Sequence, residues 1–87
     1  MEKITKENLI ILMDEVRSSL KGNELRLGQQ VFNIFADKYI IAEKTRGTDI
    51  DPFYQNKKII PFMEYVLDEE AYTYFLNSNI YDALKRD

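Results

Sequence analysis

Between Thr45 and Tyr54 the chain reads Thr-Arg-Gly-Thr-Asp-Ile-Asp-Pro-Phe-Tyr, and this stretch limits the available folds more than any other. Gly47 is a natural left-handed helix terminus. Thr48 or Asp49 is placed to accept local backbone N–H groups, and Asp51-Pro52 is a standard entry to a tight or helical turn. The proline fixes φ while the aspartate before it caps from behind. The backbone path here is therefore expected to be closely specified, with helical patterning on both sides of it.

On the N-terminal side, Thr5 is a good N-cap, Glu7 faces the positive end of the helix dipole, and Ile4 with Leu9 fits a hydrophobic staple. Leu9, Leu12, Met13, Val16 and Leu20 follow one helical face, and Gly22-Asn23 is a stop signal. Ile10 and Ile11 widen the stripe, either for a second contact surface or through deep burial of the first two turns, and burial is the reading adopted. A second helix is expected to start between Glu24 and Leu27 and to run through Leu27, Val31, Ile34, Phe35 and Lys38, with Phe32 at the margin. Gly28 costs about 0.5–1 kcal/mol inside it against alanine, so it marks either a close helix crossing or an irregular first turn. Gln29, Gln30 and Asn33 share its polar side. Tyr39 to Arg46 reads as the end of this helix or as a short separate one.

On the C-terminal side, Pro61 is tolerable only in a first turn, which places the next helix start near Lys57 or Lys58. Ile59, Ile60, Phe62, Met63, Val66 and Leu67 give it a broad apolar face. Asp68-Glu69-Glu70 is a strong new N-terminus, a cap with two first-turn carboxylates. Ala71, Tyr72, Phe75, Leu76, Ile80, Ala83 and Leu84 carry it onward, and Asn77-Ser78-Asn79 can divide it. Tyr72 to Phe75 has strand propensity, but no second strand is available to pair with it. The expectation is an all-α single domain over residues 1–87, a bundle of four or five short helices. Its core is drawn from Leu12, Val16, Val31, Phe35, Phe62, Val66, Phe75 and Leu84.

Composition narrows the chemistry. The 87 residues contain neither Cys nor His, which removes disulfides, thiolate metal sites, cysteine nucleophiles and the commonest general base. No apolar run approaches the roughly 20 residues of a membrane span, and the start has no signal-peptide core, so a cytoplasmic protein is expected. Net charge is only −3, but residues 1–58 carry ten basic and nine acidic side chains against two and six in 59–87. The C-terminal third is the acidic end.

Asp49-Ile50-Asp51 has the spacing of two carboxylates sharing a divalent cation. Turn and cap chemistry already explain both, so no metal, cofactor or catalytic residue is assigned. Arg46, and Arg26 on the other side of the second helix, either pin the loop through Asp49 or Asp51 or face a phosphate or partner acid. The pin is the reading adopted. Lys57 and Lys58 with Phe53 and Tyr54 form a basic-aromatic patch of the kind that stacks on single-stranded nucleic acid.

Arg26-Leu27-Gly28-Gln29 with Phe32-Asn33, then Arg46-Gly47-Thr48, Asp51-Pro52-Phe53-Tyr54 and Ile59 to Phe62, resembles a group of small bacteriophage and prophage proteins. The resemblance covers residues 26 to about 67. Members of the group often have proline after the position of Tyr39, where this chain has Ile40. No activity is established for the group, so the resemblance implies a mobile-element origin, work in a host cytoplasm, and no catalytic residue. The functional expectation is a non-enzymatic accessory protein that binds a host or phage protein, with no membrane partner. Its contact surface is expected at Arg26, Gln29, Arg46, Asp49, Asp51, Phe53, Tyr54 and Lys57. Two alternatives stand beside it: a small nucleic-acid-binding regulator, and an inhibitor of a host defence nuclease acting through the acidic end.

Overall fold

Thr5 opens the first helix as its side chain allows, accepting the Asn8 N–H at 3.4 Å, and α1 runs Lys6–Leu20. The computed structural model describes residues 2–21 and 25–85; the expected stop at Gly22-Asn23 and the Glu24 end of the expected start lie outside them. Among the described residues the chain is all-α. α1 is followed by α2 (Leu27–Lys38), α3 (Ile40–Glu43), a 3-10 turn (Asn56–Lys58), α4 (Ile59–Val66), α5 (Glu69–Leu76) and α6 (Asn79–Lys85). No helix among them is long and apolar enough to cross a membrane.

Two local breaks raise the helix number above the expected four or five. Tyr39 is extended, at φ −132° and ψ 123°, so α2 ends and α3 begins on either side of it without a proline. The Tyr39 N–H still donates to Phe35 O at 2.9 Å, while its carbonyl accepts from Ala42 and Glu43, so the elbow loses few backbone partners. The second break is the one the Asn77-Ser78-Asn79 run announces. Ser78 Oγ donates to Phe75 O at 2.6 Å and accepts from the Tyr81 N–H at 3.2 Å, closing α5 and opening α6 with one hydroxyl. Asp68 caps α5 by accepting the Ala71 N–H at 2.8 Å, and Tyr72 to Phe75 is helical. Pro61 falls in the first turn of α4, where no intrahelical N–H is lost.

The core is one cluster that draws on every helix, with Phe32, Phe35, Phe62 and Phe75 fully buried at its centre. Of the expected core residues only Leu84 is partly exposed, because α6 is the last helix and presents one face to its neighbours. Ala83, expected on that face, is exposed for the same reason. Phe32, expected at the margin, is fully buried. α2 packs against α1 on one side and against the 3-10 turn on another, so it buries two adjacent stripes instead of one.

Ile10 and Ile11 correct the sequence reading in the opposite direction, being 41% and 56% exposed. α1 is covered by α2 and α5 along Leu9, Leu12, Met13 and Val16, and no described element covers its flank. Ile4 does more than a staple requires. It is buried, its N–H donates to Val66 O at 2.8 Å and its carbonyl accepts from the Asp68 N–H at 3.0 Å, tying the start of the chain to the α4–α5 junction. That parallel bridge is isolated and extends into no strand.

Gln30, expected on a polar helix side, is buried, and its side-chain N–H₂ group has no hydrogen-bond partner among the described residues. A buried donor left unmade costs about 1–3 kcal/mol, an expense the packing around α2 must offset. Gln29 is half-buried and Asn33 exposed, so the three do not form one solvated face.

Candidate interaction site

Gly47 adopts φ +77°, the left-handed conformation that ends the α3 segment, and the turn beyond it is organised by Asp51. One carboxylate oxygen of Asp51 accepts the Gly47 N–H at 2.7 Å and the other accepts the Phe53 N–H at 2.9 Å. A single side chain thus closes both ends of the turn. Thr48 adds a hydroxyl that donates to Thr45 O at 2.7 Å and receives the Ile50 N–H at 3.4 Å. Asp49 is exposed and makes no hydrogen bond among the described residues, so the two aspartates have different roles and do not converge.

Asp51→Asn tests this arrangement. The amide keeps one oxygen acceptor but turns an N–H₂ donor toward the second backbone donor. The variant is expected to lose about 1–2 kcal/mol in urea unfolding, at the low end for hydrogen bonds to a charged group because the site is partly solvated. A loss no larger than a few tenths would show that the turn does not depend on both bonds.

The turn is joined to α2 by three contacts. The Gly28 N–H donates to Asn56 Oδ1 at 2.8 Å. A Cβ at Gly28 would lie 2.2 Å from Pro52 O, so the backbone of the loop rests directly on the helix start. Arg26 then reaches Phe53 O with an Nη2–O distance of 3.2 Å and sets its guanidinium 5.8 Å from the Tyr54 ring centroid. Gly28 therefore marks a close approach of helix and loop; neither a helix crossing nor an irregular turn accounts for it.

The aromatic residues run in a ladder from core to surface. Phe62 of α4 meets Phe32 at 6.2 Å, Phe32 meets Phe53 edge-on at 6.2 Å and 82°, and Phe53 meets Tyr54 at 4.8 Å. Each ring fixes the next. The guanidinium of Arg46 sits 4.9 Å from the Phe32 centroid, and Arg26 covers the far end at Tyr54. One arginine thus lies over the second ring of the ladder and the other over its outer end.

The expected pin through Asp49 or Asp51 does not form; Arg46 pairs with an acid of its own helical turn instead. It makes a two-pronged pair with Glu43, Nε to Oε1 at 2.8 Å and Nη2 to Oε2 at 2.9 Å, and neither Asp49 nor Asp51 is within ion-pair distance. The spacing is one helical turn, which holds both groups on the same side of α3 and its terminus. These hydrogen bonds hold the Glu43 carboxyl below its ordinary range, with partial desolvation opposing them.

Of the eight sequence-predicted residues, Arg26, Phe53 and Tyr54 are brought together, and Asp51 supports them from beneath. Lys57 is exposed in the 3-10 turn after Gln55 and lines a separate groove with Asn56 and Leu84. Arg46 lies over Phe32, the second ring of the ladder, paired with Glu43. Asp49 lies apart in a shallow groove with Lys44 and Tyr65, and Gln29 is half-buried without a side-chain hydrogen bond among the described residues. Sequence reading overlooked Asn56 and Phe32 as positioning residues. Asn56 gave no signal, since its partner is a backbone group of another helix.

The packing also changes the basic-aromatic patch. Phe53 is turned against Phe32 and half-buried, while Tyr54 is 75% exposed. One exposed ring remains, in a groove with Lys58, where stacking on successive bases needs several. Compared with known proteins, the chain matches no family model, no curated protein and no solved structure.

Proposed function

We propose that this chain is a non-enzymatic binding protein of mobile-element origin that engages a host or phage protein through the outer end of the aromatic ladder. The observation that supports this is Tyr54, 75% exposed, held in place by Phe53 behind it and by the Arg26 guanidinium 5.8 Å from its ring. A large ring kept in solvent on a tightly pinned loop loses little conformational freedom on binding, and Tyr and Arg are the residue types that dominate interface hot spots. The flanking groove of Gly47, Thr48, Asp51, Gln55 and Lys58 gives the rim polar partners. The origin rests on the Arg26 to Phe62 resemblance.

The test is capture from a bacterial host lysate by the immobilised chain, with Tyr54→Ser and Arg26→Ala as controls. The unaltered chain is expected to retain a defined protein, and each variant to lose at least about tenfold of it, the effect of roughly 1.4 kcal/mol at a hot spot. Tyr54→Ser is expected to keep its unfolding free energy within about 0.5 kcal/mol of the parent, and Arg26→Ala to lose about 1 kcal/mol with its hydrogen bond to Phe53 O, so both chains stay folded in the assay. Equal retention by parent and variants, or no retained protein above background, would end this reading. A salt-dependent shift of labelled oligonucleotides that is lost in Lys57→Ala would favour the nucleic-acid alternative instead.

A further inference from the structure

A second concave surface lies away from the loop, between the start of α1 and the outer side of α5. It is a groove of about 570 Å³ lined by Lys6, Glu69, Glu70, Thr73, Tyr74 and Asn77. Its chemistry is unbalanced. Glu69 and Glu70 form no ion pair among the described residues, whose ion pairs lie elsewhere. Asn77 donates one of its two side-chain N–H groups to Thr73 O at 2.9 Å, and its amide oxygen is left as an acceptor on the groove. The Tyr74 ring carries a cation, the Lys6 ammonium, 5.8 Å from its centroid.

We propose that this groove receives an arginine side chain from a basic segment of a partner protein, which takes the place of Lys6 over Tyr74. Two carboxylates, an amide oxygen and an aromatic face are all satisfied by one kind of side chain, a flat cation with several donors. A guanidinium has five N–H donors in one plane, stacks on aromatic faces, and sheds water more readily than an ammonium. Lys6 shows that a cation rests on this ring, and it is tethered by a flexible stem that can swing away. A phosphate-bearing partner is disfavoured by Glu69 and Glu70, and the excess of six acidic over two basic side chains in residues 59–87 steers a basic partner toward this end. The groove shares no residue with the Arg26–Tyr54 surface, so it stands or falls separately from the loop reading.

The experiment is a ¹H–¹⁵N chemical-shift titration of the whole chain with a capped glycine-arginine peptide, alongside the same peptide carrying lysine or glutamate. Shifts are expected at Lys6 and across 69–77 with the arginine peptide, weaker ones with lysine, and none with glutamate. Glu69→Gln with Glu70→Gln is expected to weaken binding about fivefold, as for two exposed charge pairs. Lys6→Ala is expected to tighten binding, because it removes the competing cation, and Tyr74→Leu to weaken it. Shifts spread over all acidic residues, binding indifferent to the paired Glu substitutions, or a Lys6→Ala chain that binds no better would each overturn the proposal. Lys6→Ala and the Glu pair decide the matter even if Tyr74→Leu does not fold.

Discussion

Phe32→Ala is expected to lower the unfolding free energy by about 3–5 kcal/mol, the usual cost of removing a fully buried phenylalanine. Phe32 has no exposed surface and touches Phe62 on the core side, Phe53 on the loop side and the Arg46 guanidinium above it. Its loss therefore opens a cavity and also uncouples the loop from α4. A domain of this length holds roughly 5–10 kcal/mol in total, so the variant will stand near its unfolding limit. Urea unfolding of Phe32→Ala, Phe53→Ala and the double variant separates the two effects. A coupling of about 0.5–1.5 kcal/mol is expected between the rings, and additive losses would show that Phe53 is not held by Phe32. Should Phe32→Ala not fold, Phe32→Leu gives the same comparison at smaller cost.

Gly28→Ala is the second large effect, and its sign is informative. Helix propensity alone says that alanine in α2 should stabilise by about 0.5–1 kcal/mol. Against that, the new Cβ would lie 2.2 Å from Pro52 O and 3.2 Å from Asn56 Oδ1, and the first of these is backbone that cannot rotate away. The loop or the helix start must shift, which costs about 1–3 kcal/mol, and the Gly28 to Asn56 hydrogen bond is put out of line at about 1 kcal/mol more. The net expectation is a loss of about 2–3 kcal/mol by thermal or urea unfolding. Asn56→Ala alone should lose only about 1 kcal/mol, and should lose less still in the Gly28→Ala background, since the two substitutions break the same contact. A stabilised Gly28→Ala chain would mean that the loop does not rest on α2.

What the sequence disclosed follows the range of the forces involved. Thr5, Gly47, Asp51 and Asp68 act on their own backbone within a few residues, and each does what its type and spacing predict. Pro61 likewise fixed a helix start within its own turn. The errors sit where a second element decides. Ile10 and Ile11 carry a helical apolar pattern identical in kind to that of Leu12 and Met13, but exposure depends on whether another helix arrives, and none does among the described residues. Phe32 looked marginal because a single stripe was counted on α2, whereas the loop and the 3-10 turn cover a second one. Arg46 is the one local exception: its partner is Glu43, which precedes it by one helical turn, and not the aspartates that follow it.

The candidate site was legible in part for the same reason. The turn residues singled out the loop, and its two aromatics meet Arg26 from outside it, while its own Arg46 turns to Phe32 and Glu43. How they meet depends on Gly28, far away in the chain, and on its bond to Asn56 just past the loop, a pairing no spacing rule contains. The outcome is a joint: a loop held to α2 by backbone contact, to itself by Asp51 and to the core by Phe53. Tyr54 is what it leaves outside.

That claim is tested most directly by native-state amide hydrogen exchange at Gly28 and Phe53, the two partly buried N–H groups that donate to Asn56 Oδ1 and Asp51 Oδ1. If the loop is a built part of the fold, both amides exchange slowly, through the same opening that frees the interior amides of α2 and α4. Exchange of Phe53 and Gly28 at the rate of an unstructured peptide, with α2 and α4 still protected, would contradict it.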